Sequence, residues 1–287
     1  MKMVIRNNMP LGWREPQLNK LEKTQRGQLF RVLNIARRFE RTARPTKIRR
    51  QVDQEVFRLV IYGHLVRSIQ LCKGILDLKG NPVEYVLLRI LCEAFINLRF
   101  ILSDAGETTT RARNFYDFAE VNRLRLLLEI TRRFPHIPRR GQADSLKRRL
   151  EKYKPRFLHK RSDGSTYWDW DKLDLVSRVE SIGNTMKSSR QDASKFKQVV
   201  ALYQETNPYV HCGMFSLLDS IDRGGGGEAT RPKLRVTHSE FGVSLVAAAL
   251  LVDTMAAMSD GLNVFAYEGE IKSLSNNFQR LLKQYKK

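Results

Sequence analysis

Apolar residues recur three or four apart over most of this chain, in long runs broken by Gly and Pro, and that rhythm admits little besides helices. Residues 17–42 carry Leu18, Leu21, Leu29, Val32, Leu33, Ile35, Ala36 and Phe39 with arginines between them. This predicts an amphipathic helix with a basic outer face. Arg44-Pro45-Thr46 breaks it, and a second helix is predicted over about 48–78. Lys79-Gly80-Asn81-Pro82 is a stop and a restart: Gly ends one helix, Asn can cap the next, and Pro suits its first turn. Further helices are predicted from there to about Ser103, then over 107–134, 141–154, 174–182 (closed by Gly183), 190–206, 238–265 and 269–285. Residues 155–172 read as a loop, with Ser162-Asp163-Gly164-Ser165 as turn chemistry and Tyr167-Trp168-Asp169-Trp170 anchoring it. Gly224 to Gly227 read as a flexible surface loop. Strand-like alternation is nearly absent. The fold class is therefore all-α, a helical bundle with an extra basic N-terminal helix. The predicted division is a basic extension and helix over 1–44 and a bundle over 45–287, with a basic insertion at about 131–172.

The chain has 287 residues, and its 51 Lys and Arg against 30 Asp and Glu give a net charge of +21. Two stretches hold this surplus. Residues 1–50 carry 14 basic and 3 acidic side chains, and residues 131–161 carry 12 and 2. Concentrated positive charge favours polyanions such as nucleic acid, whereas an evenly solvated face would serve only solubility. Three cysteines, Cys72, Cys92 and Cys212, lie in apolar surroundings without C-x2-C spacing, which predicts a reducing compartment and no structural zinc. The run from Phe241 to Met258 contains Asp253 and small residues, and reads as a buried bundle helix rather than a membrane span. A cytoplasmic protein without membrane association is expected.

Arg89 and Glu93 interrupt the most apolar helix, Val83 to Phe95, with i, i+4 spacing. A charged pair among Leu, Ile, Val and Phe is predicted to be buried and partnered. It is either a structural ion pair or the floor of a functional site. The second reading needs His211, in Tyr203-Gln204-Glu205-Thr206-Asn207-Pro208-Tyr209-Val210-His211. A carboxylate such as Glu93 can fix the tautomer of an imidazole, and a guanidinium can grip a phosphate. Together the three suffice for metal-free general acid–base chemistry on a phosphodiester. Arg113 and Asn114, at the start of the next helix, reach the rim of such a site at best. Tyr203 either supports the histidine or fills core. His64, His136 and His159 are isolated, and His238 reads as capping or surface. No His-Glu-x2-His metal spacing, phosphate-binding Gly-rich loop or Gly-x-Ser-x-Gly is present, so no metal or cofactor is predicted.

Taken in order, Leu88-Arg89-Ile90-Leu91-Cys92-Glu93, Arg113-Asn114-Phe115-Tyr116, Trp168 before Val176 to Ile182, and Tyr203 to His211 resemble an uncharacterised bacterial helical family, over about residues 50–265. That family is similar to the HEPN helical domains of anti-phage and toxin–antitoxin systems. The resemblance implies a HEPN-like bundle, a metal-independent ribonuclease, a homodimer and a defence-system partner protein. HEPN nucleases carry Arg, a polar residue and His on one helix. This chain departs from that pattern, and its arginine and histidine would come from different helices. The leading reading has His211 as acid/base, Glu93 as its orienting partner and Arg89 as phosphate clamp, with Arg113, Asn114 and Tyr203 on the substrate side. The alternative is a non-catalytic nucleic-acid-binding or regulatory subunit of such a system. A third reading is a small-nucleotide pocket with Arg89 on the phosphate.

Overall fold

A computed structural model describes residues 15–45, 49, 51–78, 83–133, 142–188, 194–206, 221–222, 233–234, 242–262 and 264–285. The helices are α1 (Glu15–Ala43), α2 (Asp53–Leu78), α3 (Val83–Leu102), α4 (Thr108–Arg133), α5 (Gln142–Glu151), α6 (Lys154–Phe157), α7 (Leu175–Ser188), α8 (Ser194–Glu205), α9 (Val243–Leu262) and α10 (Glu268–Tyr285). Two short antiparallel pairs are present, β1 (Leu158–Lys160) with β2 (Thr166–Trp168) and β3 (Ile221–Asp222) with β4 (Lys233–Leu234). The protein is an all-α helical bundle, as the periodicity predicts.

Internal contacts divide the chain into two units. The first comprises 1–44, 62–98 and 192–287, and the second 45–61 and 99–191. A break falls between residues 44 and 45, where the sequence reading also puts one, but residues 1–44 share a unit with 62–98 and 192–287. The reason is visible on α1, where Leu29, Val32, Leu33, Ile35, Ala36 and Phe39 are all buried core. Each such side chain contributes about 1.5–3 kcal/mol on burial, so α1 is integral to its unit rather than an appendage.

In the first unit, α1 packs on α9 and α9 on α10. Helix α9 is buried nearly all round, and small residues such as Ala247, Ala248 and Ala257 let its neighbours approach. By length and composition α2 and α9 could cross a membrane, but most of α9 is buried inside the protein. Arg26 of α1 ties the end of α2 to the start of α3. It donates to the Leu76 carbonyl at 3.1 Å and pairs with the buried Glu84 at 3.1 Å. That carboxylate lies in the first turn of α3, where the helix dipole favours it. Cys72 and Cys92 are buried free thiols, and Cys72 Sγ donates to the Ala247 carbonyl at 3.6 Å.

In the second unit, α4 organises its surroundings. Helix α5 packs on it, and Phe157 of α6 meets Phe118 at 5.6 Å. Trp170 is 4% exposed and lies edge-on to Phe100 (5.7 Å) and Phe115 (5.2 Å). Arg178 of α7 stacks on Trp170 at 4.4 Å and pairs with Asp169 at 2.6 Å. Trp170 is therefore the side chain that anchors the predicted loop.

Three predicted element boundaries change. Residues 155–172 are not a plain loop, since they hold α6 and the β1–β2 hairpin. Thr166, Tyr167 and Trp168 favour a pleated strand, and Gly164, at φ +82°, makes the turn. Helix α7 runs through Gly183 to Ser188. An interior glycine costs about 1 kcal/mol, which burial of Val179 and Ile182 on the same helix offsets. Helix α2 begins at Asp53, not near 48, with Asp53 and Glu55 in its first turn.

Candidate functional site

Residues 83–98 of α3 and helix α8 belong to the first unit and bring Arg89 and Tyr203 together. One Nη of Arg89 donates to the Tyr203 hydroxyl at 2.8 Å. The guanidinium carbon lies 4.6 Å from the centre of the Tyr203 ring. The tyrosine is thus more than filler, because it holds the guanidinium through both its hydroxyl and its ring. It is itself half-buried at the end of α8, where the Thr206 hydroxyl donates to the Leu202 and Tyr203 carbonyls and closes the last turn.

The predicted buried pair is corrected. Glu93 is exposed, and no ion pair joins it to Arg89 among the described residues. Residues four apart on a helix share a face only broadly, and here the face turns outward by Glu93. Arg89 forms no ion pair with any described carboxylate. Its Nε is buried and has no hydrogen-bond partner among the described residues. A buried guanidinium N–H left unmatched is costly, and an anion is the group that would match it.

Arg113 and Asn114 lie on α4 in the second unit, and both are engaged there. Arg113 pairs with Asp53 at 2.7 Å and lies 3.8 Å from Asp117. The Asn114 side-chain oxygen accepts from Arg156, which also pairs with Asp117 at 2.7 Å. Arg113 is thus tied to Asp53 within its own unit. His211, Cys212, His136, His238 and the four-glycine run lie outside the described residues. His64 is buried and hydrogen-bonded to the Ala94 backbone, and desolvation pushes its pKa down to about 4. Burial pushes the Cys72 thiol up and the Cys92 thiol up to about 12.

The charge surplus also takes a definite form. On α1 and just beyond it, Arg26, Arg38, Arg44 and Arg49 pair with Glu84, Glu270, Glu40 and Glu55. In the second basic stretch, Arg133, Lys147, Arg149, Lys154 and Arg156 are likewise paired. Arg148, Lys152, Lys160 and Arg161 are exposed and make no ion pair with described residues. Counting charges along the chain could not separate these two groups.

A family model for DUF5677, a family of unknown function, matches residues 58–228, more than half of the chain. The chain belongs to this family. No curated protein and no solved structure matches it. The DUF5677 match spans Arg89, Glu93, Arg113, Asn114, Tyr203 and His211, and leaves α1, α9 and α10 outside.

Proposed function

We propose that this DUF5677 protein is a bacterial defence ribonuclease that cleaves RNA without a metal. The observation that carries the reading is Arg89, a guanidinium whose buried Nε has no partner among the described residues and which is steadied by Tyr203 rather than by a described carboxylate. Such a group suits a phosphodiester, whose charge grows as attack proceeds. His211 is the acid/base of the reading, and Glu93, one turn beyond Arg89, orients it. The resemblance to HEPN domains supports this reading and carries its homodimer, defence partner protein and cytoplasmic setting.

In the proposed reaction the imidazole takes the proton of the 2′-hydroxyl as the 2′-oxygen bonds to phosphorus. The bond from phosphorus to the 5′-oxygen breaks, and the imidazolium returns the proton to that leaving oxygen. The products are a 2′,3′-cyclic phosphate and a 5′-hydroxyl. The test is RNA cleavage in EDTA by the parent, Arg89→Ala and His211→Ala proteins. Loss of one such charge-stabilising group lowers turnover by about 100–1000-fold. Equal activity in all three would end the proposal.

A second reading is a non-catalytic RNA-binding or regulatory subunit, favoured by one observation: Glu93 is exposed and does not pair with Arg89. It predicts RNA binding without cleavage products.

A further inference from the structure

The β1–β2 hairpin of the second unit carries a cation and aromatic groups on one face. The register sets His159 opposite Tyr167. Their rings lie 5.5 Å apart, and the Arg161 guanidinium carbon lies 5.2 Å from the Tyr167 ring centre. Residues 159, 161 and 167 alternate onto the same face of the pair. The Tyr167 hydroxyl donates to the Lys172 carbonyl at 2.9 Å, so the ring is fixed in place. His159 and Tyr167 are half-buried, whereas Lys160 and Arg161 are exposed.

The hairpin has one carboxylate, Asp163, which accepts from the Ser165 backbone N–H at 2.8 Å. Its charge is felt by Arg161, but no ion pair joins them. A hairpin whose cations served only solubility would not need a fixed aromatic face beside them.

We infer that this hairpin face is a docking surface for single-stranded RNA, with Tyr167 as a base-stacking platform and Arg161 on the phosphates. The chemistry is that of sequence-tolerant single-strand binders, in which an aromatic face takes a base and nearby cations follow the backbone. A duplex keeps its bases stacked inside and offers Tyr167 nothing to stack on. The inference supplies the substrate class for the proposed ribonuclease and rests on that reading for its biological sense, but binding here does not require cleavage.

The experiment uses the full chain and a fluorescent 2′-O-methyl RNA oligonucleotide, which lacks the attacking hydroxyl and so reports binding alone. Anisotropy is read across a salt series, with the matching duplex and anionic phosphatidylglycerol vesicles as competitors. Arg161→Ala should weaken binding and flatten the log–log salt dependence by about 0.7, the size of one single-strand phosphate contact. Arg133→Ala removes the same charge from a carboxylate-paired cation and should change binding much less. Tyr167→Ala should cost about tenfold or more, the usual size of a lost base stack, while Tyr167→Phe keeps the ring and the affinity. Circular dichroism checks folding in each case. The inference is overturned if the Arg161→Ala and Arg133→Ala variants bind alike, if Tyr167→Phe weakens binding as much as Tyr167→Ala, or if duplex or vesicles compete as well as the single strand. A parent protein that binds a ribose oligonucleotide but does not cleave it would instead count against the ribonuclease reading.

Discussion

Arg89 is held in a way that stability alone does not favour. Its Nε is buried without a hydrogen-bond partner among the described residues, and its one hydrogen bond to them is to a tyrosine hydroxyl. Replacing an incompletely matched buried cation with an apolar side chain of similar length is neutral or stabilising. Arg89→Met should therefore leave the thermal midpoint unchanged or raised while abolishing activity on RNA, a split read by melting and cleavage on one preparation. A fall of several degrees together with retained activity would mark Arg89 as structural. His64 gives a second prediction. Its folded pKa of about 4 lies below the ordinary 6.5, so the unfolded chain takes up the proton first as pH falls. Stability from this group is complete above about 6.5 and is lost on descent to about 4, by roughly 3 kcal/mol in all. Denaturant titrations between those pH values should show the loss, and His64→Met should flatten it. Sequence made Arg89 and His211 visible as candidates because charge in an apolar run stands out. It could not reveal the Arg89–Tyr203 contact, which joins residues far apart in the chain, nor that Glu93 faces outward.

Helices dominate the elements because their apolar faces have somewhere to go, and the sequence showed most of them to within a few residues. The misses came where tertiary packing overrode a local signal. Gly183 is a helix stop only if nothing holds the next turn, and α7 continues past it with Val179 and Ile182 buried. The β1–β2 pair is too short for alternation to announce it, yet Asp169, Trp170 and Arg178 lie just beyond it and are packed together. Trp170 carries much of that packing. Trp170→Ala should destabilise the second unit by about 3–5 kcal/mol, and Trp168→Ala, at a half-buried position, by clearly less. Equilibrium unfolding of the full chain monitored by far-UV circular dichroism checks the ranking. Equal losses would contradict the assignment of Trp170 as the anchor.

Over the whole molecule, the net charge of +21 overstates what is offered to a polyanion. Arg26, Arg38 and Arg44 of the first basic stretch are neutralised by carboxylates brought to them by the fold, while Arg31, Arg37 and Arg41 on α1, Arg148 on α5 and Lys160 and Arg161 of the hairpin are exposed and make no ion pair with described residues. Sequence gave the surplus its place along the chain, but pairing depends on which carboxylates the helices bring near. Binding to RNA should accordingly weaken steeply with salt, with a slope set by those unpaired cations rather than by net charge. Titrations at several salt concentrations check this, and a salt-independent affinity would contradict it. The central claim is that Arg89 grips a phosphodiester attacked by its own 2′-hydroxyl. The direct measurement is the cleavage rate in EDTA of an RNA oligonucleotide against the same oligonucleotide made of 2′-deoxynucleotides. The account predicts cleavage of the ribose form to a 2′,3′-cyclic phosphate and none of the deoxy form. Equal cleavage of both, or of neither, would contradict it.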